Sequence, residues 1–339
     1  MVSASPEGDA TRDSARRAGL VHLSIVYVVW GSTYLAIRLA VRPEGGFPPF
    51  ALGSLRMLLA GGILLGWAAI HGTRVALSRR DAVTLAVAGL LMLPLGNGLV
   101  NWAERWADSS YAALLLGSLP IWTAVIESAL DRRRPTPRLA LSLAIGFGGL
   151  VLLVAPGLVK AGAADAGAIV ALLVASITWA LGSVLQTRRP VSVGPIVSAG
   201  YVHLFGAAGF IVLFLALGEA LPRPSMAAWG AFAYLVLAGS VGAFTSFVRV
   251  LRLLPTSVVM TYAYVNPVIA VVLGALLLGE RITLADAGGM ALVLLGVWGV
   301  LGDKLARDRA VAHGGAEQKK TERPARGPFD ARRDARPRP

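Results

Sequence analysis

Residues 105–149, RWADSSYAALLLGSLPIWTAVIESALDRRRPTPRLALSLAIGFGG, align without a gap on residues 252–296, RLLPTSVVMTYAYVNPVIAVVLGALLLGERITLADAGGMALVLLG. The shift of 147 positions brings Arg105 onto Arg252, Ser110 onto Ser257, Pro120 onto Pro267, Thr136 onto Thr283 and Gly149 onto Gly296. In each copy two apolar runs flank a short charged connection. The likeness extends towards the N-terminus, where Trp30 with Gly31-Ser32 matches Trp179 with Gly182-Ser183, and Pro49 and Pro195 each open the next run. The chain therefore reads as two similar halves.

Working outward, the 339 residues are 55% hydrophobic, and 39 glycines raise the apolar share to about two thirds. A soluble domain carries roughly 45–50% apolar residues and about 25% charged ones, whereas charged residues here make up 15%. The surplus falls in ten runs: 20–41, 48–70, 82–103, 109–130, 138–155, 166–187, 194–217, 226–248, 255–279 and 283–302. Each approaches the roughly 20 residues a helix needs to cross a bilayer. The first run exceeds the apolar core of a cleavable signal and is read as a retained helix. The expectation is an all-α polytopic membrane protein of ten transmembrane helices in two inverted five-helix repeats. Its parts are a basic N-terminal tail, 1–19, a first repeat, 20–155, a second repeat, 166–302, and a basic C-terminal tail, 303–339. The second tail holds 11 Lys+Arg, 6 Asp+Glu and almost no large apolar residues, a composition that predicts disorder.

Loop charge sets orientation. One set of alternate loops carries Arg74, Arg79, Arg80, Arg132, Arg133, Arg134, Arg138, Arg188, Arg189, Arg249 and Arg252, while the other carries Arg42, Arg105, Lys160, Arg223 and Arg281. Positive residues stay on the cytoplasmic side, which places both termini in the cytoplasm. The tails are expected to rest near anionic headgroups. No folded, aromatic-bearing platform accompanies their charge, so nucleic acid is not an expected partner.

An odd number of spans per repeat makes the second half cross the membrane in the opposite sense to the first. Inverted repeats are typical of secondary transporters, whose two interchangeable halves rock around a midplane site. No phosphate-cradling GxxxxGK[ST] occurs, which speaks against ATP hydrolysis by this chain. The absence of cysteine and the four scattered histidines, His22, His71, His203 and His313, speak against a metal site, and no cofactor is expected. An intramembrane enzyme is a second reading, but every Asp lies at a span edge, in a loop or in a tail, and His203 has no nucleophile-elbow motif with it. A channel is the third, told from a transporter by unsaturated, single-channel conduction.

Several segments carry a family resemblance. Trp30-Gly31-Ser32-Thr33-Tyr34 with Arg38, Leu55-Arg56-Met57-Leu58-Leu59-Ala60 and Ser176-Ile177-Thr178-Trp179-Ala180-Leu181-Gly182-Ser183 resemble EamA-type members of the drug/metabolite transporter superfamily. Leu95-Gly96-Asn97-Gly98 with Ala103-Glu104, and Thr261-Tyr262-Ala263-Tyr264-Val265-Asn266-Pro267 running to Leu278-Gly279-Glu280, do likewise. The resemblance covers about 20–302. It implies ten helices in two inverted repeats, inner-membrane placement, and transport of small metabolites or drugs, often outward. The fourth run departs from the pattern, ending Leu130-Asp131-Arg132-Arg133 where the ninth ends Leu278-Gly279-Glu280.

Polar side chains inside a bilayer face a cavity or a partner. Arg56, about eight residues inside the second run, is either a structural lock bonded to helix ends or an anchor for a substrate anion. His203, at nearly the same depth in the seventh, is a proton carrier or a neutral hydrogen-bonded ring. Asn97, Asn101 and Glu104 share one helical face and either join helices or line a vestibule, with Glu104 a candidate for proton coupling. Trp30 and Tyr34, Trp179, and Tyr262 with Asn266 form stripes that serve as helix packing or as a box for an amphipathic, amino-acid-like substrate. Gly146, Gly149, Gly288, Gly289 and Gly296 mark the fifth and tenth runs as a packing or homodimer surface.

Overall fold

Long apolar runs satisfy their backbone in lipid only as helices or closed barrels, and every regular element among the described residues is a helix. The computed structural model describes residues 6–42, 44–103, 109–161, 166–278 and 282–321. The elements are α1 (Pro6–Ala40), α2 (Pro49–Ile70), α3 (Arg79–Ala103), α4 (Ser109–Leu116), α5 (Leu119–Asp131), α6 (Pro137–Ala161), α7 (Ala166–Arg188), α8 (Pro195–Ala216), α9 (Met226–Leu253), α10 (Thr256–Val259), α11 (Tyr262–Leu278) and α12 (Leu284–Thr321). Among the described residues nine stretches are long and apolar enough to cross a membrane, one for each expected run from the second to the tenth. The first expected run lies within α1. The chain is a polytopic helical membrane protein.

Local chemistry starts the helices at matching places. Pro49 and Pro195 open α2 and α8, where a missing N–H costs nothing. Ser78 and Ser225, 147 positions apart, cap α3 and α9 by accepting from the N–H of Asp81 and of Ala228. Both capped helices then widen into a π-helical segment, at Leu93–Gly98 in α3 and Leu235–Ala243 in α9. Pro94 accounts for the first, since it withdraws a donor from the ladder.

The fourth and ninth runs, expected as continuous spans, are each broken. A turn at Gly117 and Ser118 separates α4 from α5, and a turn at Met260 and Thr261 separates α10 from α11. In both turns a hydroxyl bonds the carbonyl three residues back, Ser118 to Leu115 and Thr261 to Val258. These bonds offer the backbone an alternative to the helical ladder.

Packing follows one scheme in both halves. α1 lies against α9 and α11, and α7 against α3 and α5. α3 meets α8 while α9 meets α2, and the two long contacts pair α2 with α8 and α6 with α12. Exchanging the halves maps every one of these pairings onto another. The α6/α12 seam is made of glycine. A Cβ built on Gly296 would sit 2.5 Å from the Gly146 Cα, and one on Gly149 would sit 2.6 Å from the Val293 N, so these glycines serve packing within the chain. Outward, Ile70, Leu141, Val212, Leu276 and Trp298 are exposed, as a lipid-facing surface requires.

Helix reaches beyond the expected spans. α12 runs to Thr321, so residues 303–321 are helical where composition predicted disorder. The segment is rich in Ala, Lys, Arg, Glu and Gln, good helix formers, and elongates a helix already nucleated by the apolar run. The rest of that tail lies outside the described residues.

Candidate functional site

The buried polar side chains converge. A cavity of about 120 Å³ lies between the halves, lined from α1, α2, α3 and α5 as well as from α7, α8, α9 and α11. A single trapped water needs only about 10–15 Å³, so this is larger than a hydrated packing defect. Both π-helical segments reach its wall, one through Gly96 and Asn97, the other through Gly239 and Ser240. Such bulges recur at functional sites because they turn side chains and carbonyls out of the regular ladder.

Arg56 is 8% exposed, and its Nε donates to Ser240 Oγ at 2.8 Å. Gly239 makes room for it: a Cβ there would stand 3.1 Å from Arg56 Nη2 and 3.3 Å from Thr33 Cγ2. The same turn receives the Trp30 Nε1–H, which donates to Gly239 O at 3.1 Å. Among the described residues no Asp or Glu lines the cavity. The guanidinium thus sits in a poorly hydrated site without a carboxylate among the described residues, a state that costs several kcal/mol unless something neutralises it.

The second half offers the counterpart. His203 stands 147 positions after Arg56, the offset of the repeat, and faces the same cavity. It is fully buried, its Nδ1–H donates to Ala199 O at 2.8 Å, and the edge of Phe244 approaches its ring at 4.5 Å between centroids. Its Nε2 has no partner among the described residues, nor does Trp179 Nε1, although both are buried. Trp179 packs edge-on against Trp30 at 5.8 Å, and Trp30 meets Tyr262 at 4.9 Å and Phe247 at 5.1 Å. Of these rings, those of Trp30, Trp179 and Tyr262 line the cavity. Beyond them Tyr27 Oη donates to Thr261 Oγ1 at 2.6 Å, since the threonine's own proton goes to Val258 O. Thr187 bonds Thr256, and Arg188 pairs with Asp131 at 2.6 Å.

Of the residues expected from sequence, Trp30, Arg56, Asn97, Trp179, His203, Tyr262 and Asn266 share this wall. Asn101 lies one turn beyond Asn97, buried, with its Nδ2 at the 3.5 Å limit of a bond to Asn97 Oδ1. Tyr34 sits on α1, but its side chain lies outside the described residues, as does the whole of Glu104. Sequence reasoning missed Thr33, Met57, Ser240 and Phe244. Ser240 left a signal, being the only polar residue in Leu235–Ala243. Among the described residues no three His, Asp or Glu side chains gather as metal ligands.

The comparisons with known proteins agree with this picture. The model of the EamA-like transporter family matches residues 17–155 and again 166–302, one match for each half. The uncharacterized inner membrane transporter YedA of Escherichia coli K12 is 32% identical over 280 residues, covering 81% of this chain and 88% of that one. The uncharacterized transporter YyaM of Bacillus subtilis 168 is 24% identical over 284 residues, covering 81% of this chain and 93% of its own length. One solved crystal structure shares the fold with a TM-score of 0.71 at 21% identity, covering 87% of this chain and 98% of its own. With a twofold family match laid over a twofold helix scheme, the chain belongs to the EamA-like transporter family and is a membrane transporter rather than an enzyme.

Proposed function

We propose that the chain is a secondary transporter of small amphipathic metabolites bearing an anionic group, working by alternating access around the cavity between α1–α6 and α7–α12. The observation that carries this reading is Arg56, a buried cation on the wall of a cavity that no Asp or Glu lines among the described residues. A ligand carboxylate is the partner it lacks. The aromatic wall suits the apolar part of such a ligand, which binds largely by contact with a few orienting bonds. α1 supplies the tenth span, and the two halves are inverted repeats, a reading supported by the matched caps, breaks and pairings. With both termini cytoplasmic in the inner membrane, the end closed by Tyr27, Thr187 and Arg188 is the cytoplasmic one. We read that end as closed in this state, and export is the direction the family resemblance implies.

The test compares metabolites inside and outside cells that produce the chain or Arg56→Ala at equal membrane abundance. The expected result is an anionic metabolite whose distribution follows the wild type alone, and whose flux through purified protein in liposomes saturates. Unsaturated flux with single-channel events, or no flux from folded protein, overturns the reading.

A further inference from the structure

Arg56 and His203 occupy one position of the two halves, yet their bonding differs. Arg56 spends Nε on Ser240 and keeps its outer nitrogens for a ligand. His203 spends Nδ1 on its own helix, which leaves Nε2 as an unpartnered acceptor when the ring is neutral. Both side chains line the one cavity, so a proton on Nε2 alone would add a second cation to it. An anion held between them offsets that added charge. Binding of the anion and binding of the proton therefore favour each other by the same factor. A carboxylate has two oxygens, one for the guanidinium and one for the Nε2–H, and such charge-assisted bonds are the strong ones. Trp179 Nε1 is a further free donor on the same wall. Among the described residues the other charged groups on elements packed against α8 do not line the cavity, including Glu219, which accepts from the N–H groups of Phe50 and Ala51 at the start of α2. Arg79, Arg80 and Asp81 on α3, and Arg249 and Arg252 on α9, lie at the end of the bundle where Asp81 bonds Ser192 ahead of α8.

We infer that the cavity holds a small aromatic or branched monocarboxylate between Arg56 and protonated His203, so that each anion crosses together with one proton. This deepens the anion reading above and rests on it. The proton comes from the solution, forms the Nε2–H bond as the anion binds, and leaves with it on the other side. The pair is electroneutral, so the membrane potential does not act on it, and export proceeds when the outward substrate gradient exceeds the opposing acid-outside pH difference.

The experiment uses the purified full chain and three probes of one shape: phenylacetate, its neutral amide phenylacetamide, and the cation phenethylamine. Binding is read from tryptophan fluorescence, and proton uptake from a pH-indicator dye in weakly buffered solution near pH 7. Phenylacetate is expected to bind best and to take up about one proton per molecule, with affinity falling about tenfold per pH unit on the alkaline side. His203→Gln should still bind phenylacetate, more weakly, with no uptake and no slope. If that variant does not fold, uptake and slope in the wild type carry the test. Phenylacetate binding without uptake, or uptake that survives His203→Gln, overturns the proton inference and leaves the anion reading standing. No binding of phenylacetate, or tighter binding of phenethylamine, overturns both.

Discussion

The two walls of the cavity are built on one plan and finished differently. In the first, Trp30 and Arg56 are both tied to the π-helical turn of α9, through Gly239 O and Ser240 Oγ. In the second, Trp179 packs on Gly96 in the π-helical turn of α3 while His203 meets Phe244 of α9, and each keeps a polar atom without a partner among the described residues. One scaffold serves both walls, and differing side chains give one a fixed charge and leave the other with polar atoms that have no partner among the described residues. A buried polar atom without a partner costs about 1–3 kcal/mol, so the second wall is the one a ligand can stabilise most. The cavity's closed end shows the same difference. Tyr27 bonds Thr261 across from α1 at 2.6 Å, whereas Ser176, at the matching place on α7, donates to the Leu115 carbonyl and meets the Ser118 hydroxyl only at 3.5 Å.

The sharpest way to break this comparison is Arg56→Ala. If the first wall supplies the anchoring charge, phenylacetate affinity falls about 30–100-fold, the worth of roughly 2–3 kcal/mol for a charge-assisted bond, while thermal stability holds or rises because a buried cation is gone. Ser240→Ala removes the acceptor that orients the guanidinium. It should lower affinity about tenfold, by roughly 1–1.5 kcal/mol, measured by the same fluorescence titration, and a change of less than twofold would mean Arg56 is held elsewhere.

The twin tryptophans provide a paired test. Trp30→Phe loses the bond to Gly239 O and should lower stability by about 1 kcal/mol. Trp179→Phe removes an unpartnered donor and should leave stability unchanged or higher while weakening phenylacetate a few-fold. Equal effects in thermal unfolding and titration would erase the claimed difference between the walls. The smallest expected effect is that of Tyr27→Phe, about 0.5–1.5 kcal/mol in the balance between open and closed ends. It is read as faster counterflow in liposomes with no change in phenylacetate affinity at the cavity.

Much of the site was legible because burying polarity in lipid is costly enough to leave a mark in the sequence. Arg56, His203, Asn97 and Asn266 stood out as polar residues in apolar runs, and all reach one wall. Trp30 and Trp179 stood out through the repeat. Ser240 was the informative miss, since a lone serine satisfies itself on its own helix in most settings, and only the approach of Arg56 from α2 gives it a role. Met57 and Phe244 were invisible, as apolar residues in apolar runs carry no sign of which face meets the cavity. The breaks at Ser118 and Thr261 were not legible, because whether a hydroxyl turns back onto its own backbone depends on neighbours.

By itself the sequence determined that this chain lies in a membrane, that it is helical, and that it is made twice, because length, hydropathy and a 147-residue offset are properties of the chain read in order. The tertiary structure alone decided that Arg56 and His203 share a cavity, and that Arg56 is tied to the opposite half while His203 bonds its own helix and leaves Nε2 without a partner among the described residues. Both outcomes depend on which helix of one half packs against which helix of the other, and contacts between residues more than a hundred positions apart leave no period in the sequence to read.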